Sequence, residues 1–177
     1  MNAAEKIAAT YLRLNGFLLV PQFTVFEGDR HSHVDLVGIR AAGSREIVKG
    51  ETLPTDGRLF TALEAGGIVH PRDTCLGLVA EVKTNDSVER PSDAHVAYLG
   101  PFLGDLPLVL SYFSESASKP QWVNGCLAMS TSYALWWIFQ RVKWMDAEFQ
   151  LTKSGSWTWS DDPLSDLLIV GSYLRQY

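Results

Sequence analysis

Cysteine is scarce in this chain. Cys75 and Cys126 are the only two, too few for a disulfide scaffold and without the paired spacing of a metal knuckle. They fit buried thiols in a reducing cytoplasm, so a cytoplasmic location is expected. Long apolar runs are missing too. No charged residue falls between Lys119 and Arg141, yet Gln121, Asn124, Gly125, Ser130, Thr131 and Ser132 interrupt that stretch. Its strongly apolar part, Tyr133 to Phe139, is far shorter than the roughly 20 residues of a membrane span, so a buried helix or strand is expected and no membrane association. Positive charge is also in short supply: 15 Lys and Arg face 20 Asp and Glu, a formal net charge of −5. That excludes a general polyanion binder, because nonspecific nucleic-acid affinity comes largely from Lys and Arg neutralising phosphates. Any nucleic-acid contact must be local, metal-assisted or supplied by a partner. No basic stretch leads into an apolar one near Glu5 and Lys6, so no secretion signal is expected.

What is present is a globular composition. The 177 residues are 46% hydrophobic and 20% charged, enough for one domain over 1–177 that buries a core without staples. Asn2 to Asn15 reads as a helix, with Asn2 as cap, Ile7, Tyr11 and Leu14 as a stripe, and Asn15-Gly16 as stop. Phe17 to Phe26 is strand-like, with Pro21 hinting at an edge or a bulge. Glu27 to Arg30 is a turn, and His33 to Arg40 a second strand. Residues 41–74 mix Gly, Pro and charge; Glu46 to Val48 suits a hairpin arm and Arg58 to Ala65 a short helix. So long an irregular segment suggests a functional or partner-ordered insertion.

Leu76 to Thr84 is the strongest strand in the chain. Leu76, Leu78, Ala80 and Val82 share one face and Glu81 and Lys83 the other. Ser92 caps a short helix through Leu99, and Leu106 to Phe113 is a buried strand. All six tryptophans, Trp122, Trp136, Trp137, Trp144, Trp157 and Trp159, lie beyond it, where core and subunit packing is their expected use. A late hairpin around Lys153-Ser154-Gly155 and a helix after Pro163 complete the reading.

Three acidic positions stand out. Glu5 lies beside the flank of Ala8, Ala9 and Leu12 in the first helix; an acidic residue there also suits the helix dipole. Asp35 sits inside a Val and Leu run, facing as Val37 and Ile39 do, where a carboxylate needs a cation or donors. His31 and His33 flank it as polar residues of a strand entrance. Glu81 and Lys83 are held at the end of a rigid strand, as a metal ligand and a charge-stabilising lysine would be.

The ordered set resembles the PD-(D/E)XK nuclease superfamily, the restriction-endonuclease-like fold. That pattern is an acidic residue on the first helix, Asp on one strand, then (Asp/Glu)-x-Lys on the next. Glu5, Asp35 and Glu81-Val82-Lys83 match it, over roughly residues 2–113, in an arrangement similar to small Holliday-junction-resolvase-like nucleases. Val34 stands in place of the proline, the gap from Asp35 to Glu81 is long, and the helix after the motif strand is poor in Lys and Arg.

The resemblance implies an α/β fold with a central mixed sheet flanked by helices, the 41–74 insertion and a Trp-rich C-terminal extension over 114–177. It also implies metal-dependent hydrolysis of phosphodiester bonds, with DNA favoured over RNA. Asp35, Glu81 and the carbonyl of Val82 would hold Mg²⁺ or Mn²⁺, hard cations that prefer oxygen ligands. Glu5 would reach the metal directly or through water, and Lys83 would orient the attacking water and offset phosphate charge. The competing expectations are a nuclease-fold module that no longer cuts and an unrelated adaptor with solvated strand charges. A homodimer or protein partner would use the Trp-rich third.

Overall fold

The computed structural model describes residues 1–27, 30–48 and 50–149. The expected turn at Gly28-Asp29, the late hairpin, the final helix, Trp157 and Trp159 lie outside the described residues. Helix α1 (Ala3–Leu14) starts at Asn2, whose side chain accepts from Glu5 N while Glu5 returns to the Asn2 backbone, a complete capping box. Strands β1 (Phe17–Glu27) and β2 (Arg30–Arg40) form an antiparallel pair. A small hairpin of β3 (Ile47–Val48) and β4 (Glu51–Thr52) leads to α2 (Gly57–Ala65). Then follow β5 (Leu76–Val82), α3 (Asp93–Leu103), β6 (Leu108–Phe113), β7 (Gln121–Val123), β8 (Cys126–Met129) and α4 (Thr131–Phe149).

Six strands form one mixed sheet in the order β1-β2-β5-β6-β8-β7. β2 pairs antiparallel with both β1 and β5. β5 pairs parallel with β6 and β6 with β8, while β7 returns antiparallel on β8. The protein is therefore an α/β structure with helices on both sheet faces. The even residues of β5, Leu76, Leu78, Ala80 and Val82, join α1, α2 and α4 in the main core. Val79 joins Val25, Val34 and Val37 under Leu99 and Leu103 of α3 on the opposite face. The alternation expected for Leu76 to Val82 holds, and all seven residues are buried.

Three findings differ from expectation. Cys75 is exposed and only Cys126 is buried, because Cys75 precedes the first paired residue of β5. The 41–74 segment is no appendage: Leu59, Phe60, Ala62 and Leu63 of α2 lie in the main core. The tryptophans divide, with Trp122 and Trp137 packed against that core while Trp136 is 48% exposed. Trp122 lies so close to Gly66 that a Cβ there would stand 2.4 Å from its ring. Among the described residues no helix is long and apolar enough to cross a membrane.

Candidate functional site

Asp35 and Glu81 meet where the β2–β5 ladder ends. Pairing of the two strands stops at Leu36 and Ala80, so the next residue on each strand is released from the ladder. Asp35 turns its carboxylate across the gap and accepts from Val82 N at 2.7 Å. That donor is what the aspartate needed inside an apolar run. Val82 thus enters the site through its N–H; its side chain goes to the opposite core.

Glu81 projects to the α3 face and is 4% exposed. Burial first, then the negative charge of neighbouring Asp35, push its pKa up to about 8, with Lys83 pulling the other way. Oε1 of Glu81 faces Nδ1 of His95 at 3.4 Å. The contact lacks hydrogen-bond geometry, so both atoms are buried without a partner. On the other side of the imidazole, Nε2 stands 2.8 Å from Ser32 Oγ. A serine accepting there from Nε2–H would leave Nδ1 with a lone pair aimed at Glu81.

His95 owes its place to two features of α3. Ser92 caps the helix by accepting from His95 N at 3.2 Å, which places the residue in the first turn. The crossover from β5 to its parallel neighbour β6 lays that turn over the end of β5. His95 was not singled out from sequence. The available signal was its position three residues after a cap, directly beyond the motif strand.

Lys83 follows β5 and pairs with Glu89 at 2.8 Å; both are partly exposed. The hydrogen bond to Glu89 raises the lysine pKa, so it stays charged. Glu5 is engaged elsewhere: its carboxylate accepts from Asn2 N at 3.2 Å and Asn2 Nδ2 at 2.6 Å. It also receives Gln22 Nε2 at 3.4 Å. No hydrogen bond or ion pair among the described residues joins Glu5 to Asp35 or Glu81. His31 and His33 are exposed on the same strand as Asp35, their rings 5.7 Å apart.

Gln22 is a second residue that sequence reasoning missed. It has φ of +51°, a left-handed conformation unusual for a residue with a Cβ. It lies across from Asp35, between the paired couples Pro21–Leu36 and Phe23–Val34, at the one step where that ladder is interrupted. Strain of this kind gathers at functional sites.

The donor set, two carboxylates with one buried oxygen unpartnered, suits a small divalent cation. Among the described residues no group of three or more His, Cys, Asp or Glu is disposed to hold a metal ion. Mg²⁺ does not require one, since it keeps several waters and takes one or two carboxylates plus phosphate oxygens. Comparison of the chain with protein-family models, curated proteins and solved structures gives no significant match.

Proposed function

We propose that the protein is a metal-dependent nuclease of restriction-endonuclease-like fold, hydrolysing phosphodiester bonds of nucleic acid, with DNA preferred over RNA. The observation that carries the reading is the convergence of Asp35 and Glu81 at the end of the sheet, with Glu81 Oε1 buried and unpartnered. Element order supports it once the β3–β4 hairpin and α2 are set aside: α1, the antiparallel strands β1, β2 and β5, then α3 and the parallel strand β6, with Asp35 on β2 and Glu81 on β5. Two free thiols suit a cytoplasmic protein.

Asp35 and Glu81 would hold Mg²⁺ or Mn²⁺, with the Val82 carbonyl as a further oxygen and Glu5 reaching in through water. The chemistry such an ion would supply is a bound water of lowered pKa and compensation of the charge that develops on phosphate oxygens. Lys83, released from Glu89, would donate to a phosphate oxygen. His95, its ring held against Ser32, would present Nδ1 to Glu81 as an acceptor in the tautomer that carries its hydrogen on Nε2.

Two contacts favour the alternative, a module that binds or assembles without cutting. Glu5 is spent on its capping box, and Lys83 is paired with Glu89. Titrating Mn²⁺ into the protein by calorimetry separates the readings. A nuclease binds the ion in wild type and loses it in Asp35→Ala; a protein with no saturable Mn²⁺ site would be the non-cutting module.

A further inference from the structure

A second charged site lies at the opposite end of the sheet. Arg40 closes β2, five residues from Asp35, which is roughly 16 Å along a strand. Beside it opens a cleft of about 440 Å³ lined by Arg40, Arg45 and Arg72. The arrangement stands out in a chain with a net charge of −5.

The arginines are held in place by the fold. Arg40 is 2% exposed and spends its donors on main-chain carbonyls: Asn15 at 3.1 Å, Pro71 at 3.0 Å, Arg72 at 2.9 Å and Ser44 at 3.2 Å. Carbonyls orient the guanidinium but do not cancel its charge. Arg72 donates to Thr55 Oγ1 at 2.6 Å. Its guanidinium stacks 4.1 Å from the centroid of Phe60, the same ring that Arg40 approaches at 4.9 Å. Two like charges thus share one aromatic ring. Arg72 also reaches the start of α2, 4.0 Å from where a Cβ on Gly57 would stand, at the positive end of that helix dipole.

No carboxylate answers this charge in full. Among the described residues none of the three arginines makes an ion pair; Glu46, next in sequence to Arg45, is taken by Arg141. Asp56 is buried under two tyrosine hydroxyls and the Arg58 amide. Asp73 is the single acidic residue on the wall. The cleft thus sets three guanidinium groups against one carboxylate, with Thr52 and Thr55 also in its lining.

We infer that this cleft binds a phosphate group. Arg45 and the unspent donors of Arg72 can hydrogen-bond phosphate oxygens while the buried guanidinium of Arg40 adds charge behind them, and the volume leaves room for the group that carries the phosphate. The phosphate can belong to a small ester or to a nucleic-acid backbone; the site itself is independent of the nuclease reading.

Inorganic phosphate titrated calorimetrically at constant ionic strength provides the test, with Arg45→Glu and Arg72→Ala as variants. Arg45 is exposed and makes no hydrogen bond among the described residues, so its replacement leaves the fold intact. Saturable binding is expected in wild type, weakened about tenfold or more in each variant, as loss of a charge-assisted hydrogen bond would do. Asp35→Ala should bind phosphate as wild type does, which keeps this result separate from the fate of the nuclease proposal. Displacement of the phosphate by a 5′-mononucleotide assigns the cleft to small esters; displacement by an oligonucleotide alone assigns it to a strand. No saturable binding in wild type, or wild-type affinity retained in both variants, would overturn the inference.

Discussion

Glu81 keeps its proton near neutral pH because burial and the neighbouring Asp35 both oppose another negative charge. A carboxyl whose pKa is higher in the folded state than in the unfolded one binds its proton more tightly when folded. Its contribution is therefore fully present below the ordinary value of 4.5 and is lost as pH rises through about 8. In EDTA, the melting temperature of wild type should fall over that window relative to Glu81→Gln, and the variant should be the more stable above it. Thermal unfolding across a pH series checks this; parallel curves would contradict the buried-acid assignment. A cation bound at the site must displace the same proton, so Mn²⁺ affinity should increase with pH over the same window.

Lys83 behaves differently because solvent reaches it. Its bond to Glu89 is a surface ion pair, worth under about 1 kcal/mol to the fold. Lys83→Met should accordingly leave the melting temperature nearly unchanged while abolishing cleavage. A variant that cuts at the wild-type rate would remove Lys83 from the chemistry.

At the scale of elements, the joints between helices are held by polar groups that the strands alone do not reveal. Asp56 caps α2 through Arg58 N at 2.9 Å and accepts from Tyr11 Oη of α1 at 2.7 Å and Tyr133 Oη of α4 at 2.9 Å. Burial first, then Asp56, pushes both phenols upward, so they remain donors. Asp56→Ala would uncap α2 and strand two hydroxyls, costing about 3 kcal/mol or more. Denaturant unfolding measures that loss, and a cost below about 1 kcal/mol, no more than one ordinary hydrogen bond, would show that the three helices are joined by apolar packing alone. Gly66 has a different reason to be conserved in any redesign: its backbone is ordinary, but Trp122 occupies the space of a side chain. Gly66→Ala should destabilise by roughly 1–3 kcal/mol through displacement of that indole.

Elements set by local chemistry were readable in advance. Asn2 caps α1 and Asn15-Gly16 stops it as expected, and the alternation of Leu76 to Val82 predicts both faces of β5; the reciprocal bond from Asn2 N to Glu5 emerged only in the structure. Asp35 and Glu81 were legible for the same reason, as carboxylates among apolar neighbours on adjacent strands. His95, Ser32 and Gln22 were not. Their roles arise from a crossover helix and an interrupted ladder, which bring together residues far apart in sequence. Arg40 hid likewise, since the carbonyls that fix it come from Asn15, Ser44 and the 71–72 segment. Within 41–74 the hairpin arm at 46–48 and the helix at 58–65 were legible, but not that Leu59, Phe60 and Leu63 of that helix are buried in the main core.

For the molecule as a whole, the sheet separates two charges. The acidic pair occupies the end where β5 finishes, and the arginine cleft the end where it begins. The net charge of −5 makes such localisation necessary for any contact with phosphate. Binding carried by a few local cations should weaken with salt less steeply than binding by a broad basic surface. A salt slope typical of a protein neutralising many phosphates would argue for a different surface.

The most direct test of the nuclease assignment is cleavage of labelled DNA and RNA substrates, duplex, branched and single-stranded, in Mg²⁺, Mn²⁺ or EDTA. Wild type should cut in either metal, not in EDTA, and Asp35→Ala should not cut in any of them. Cleavage that survives in EDTA or in Asp35→Ala would contradict the account, as would a wild type that leaves every substrate whole and binds no Mn²⁺.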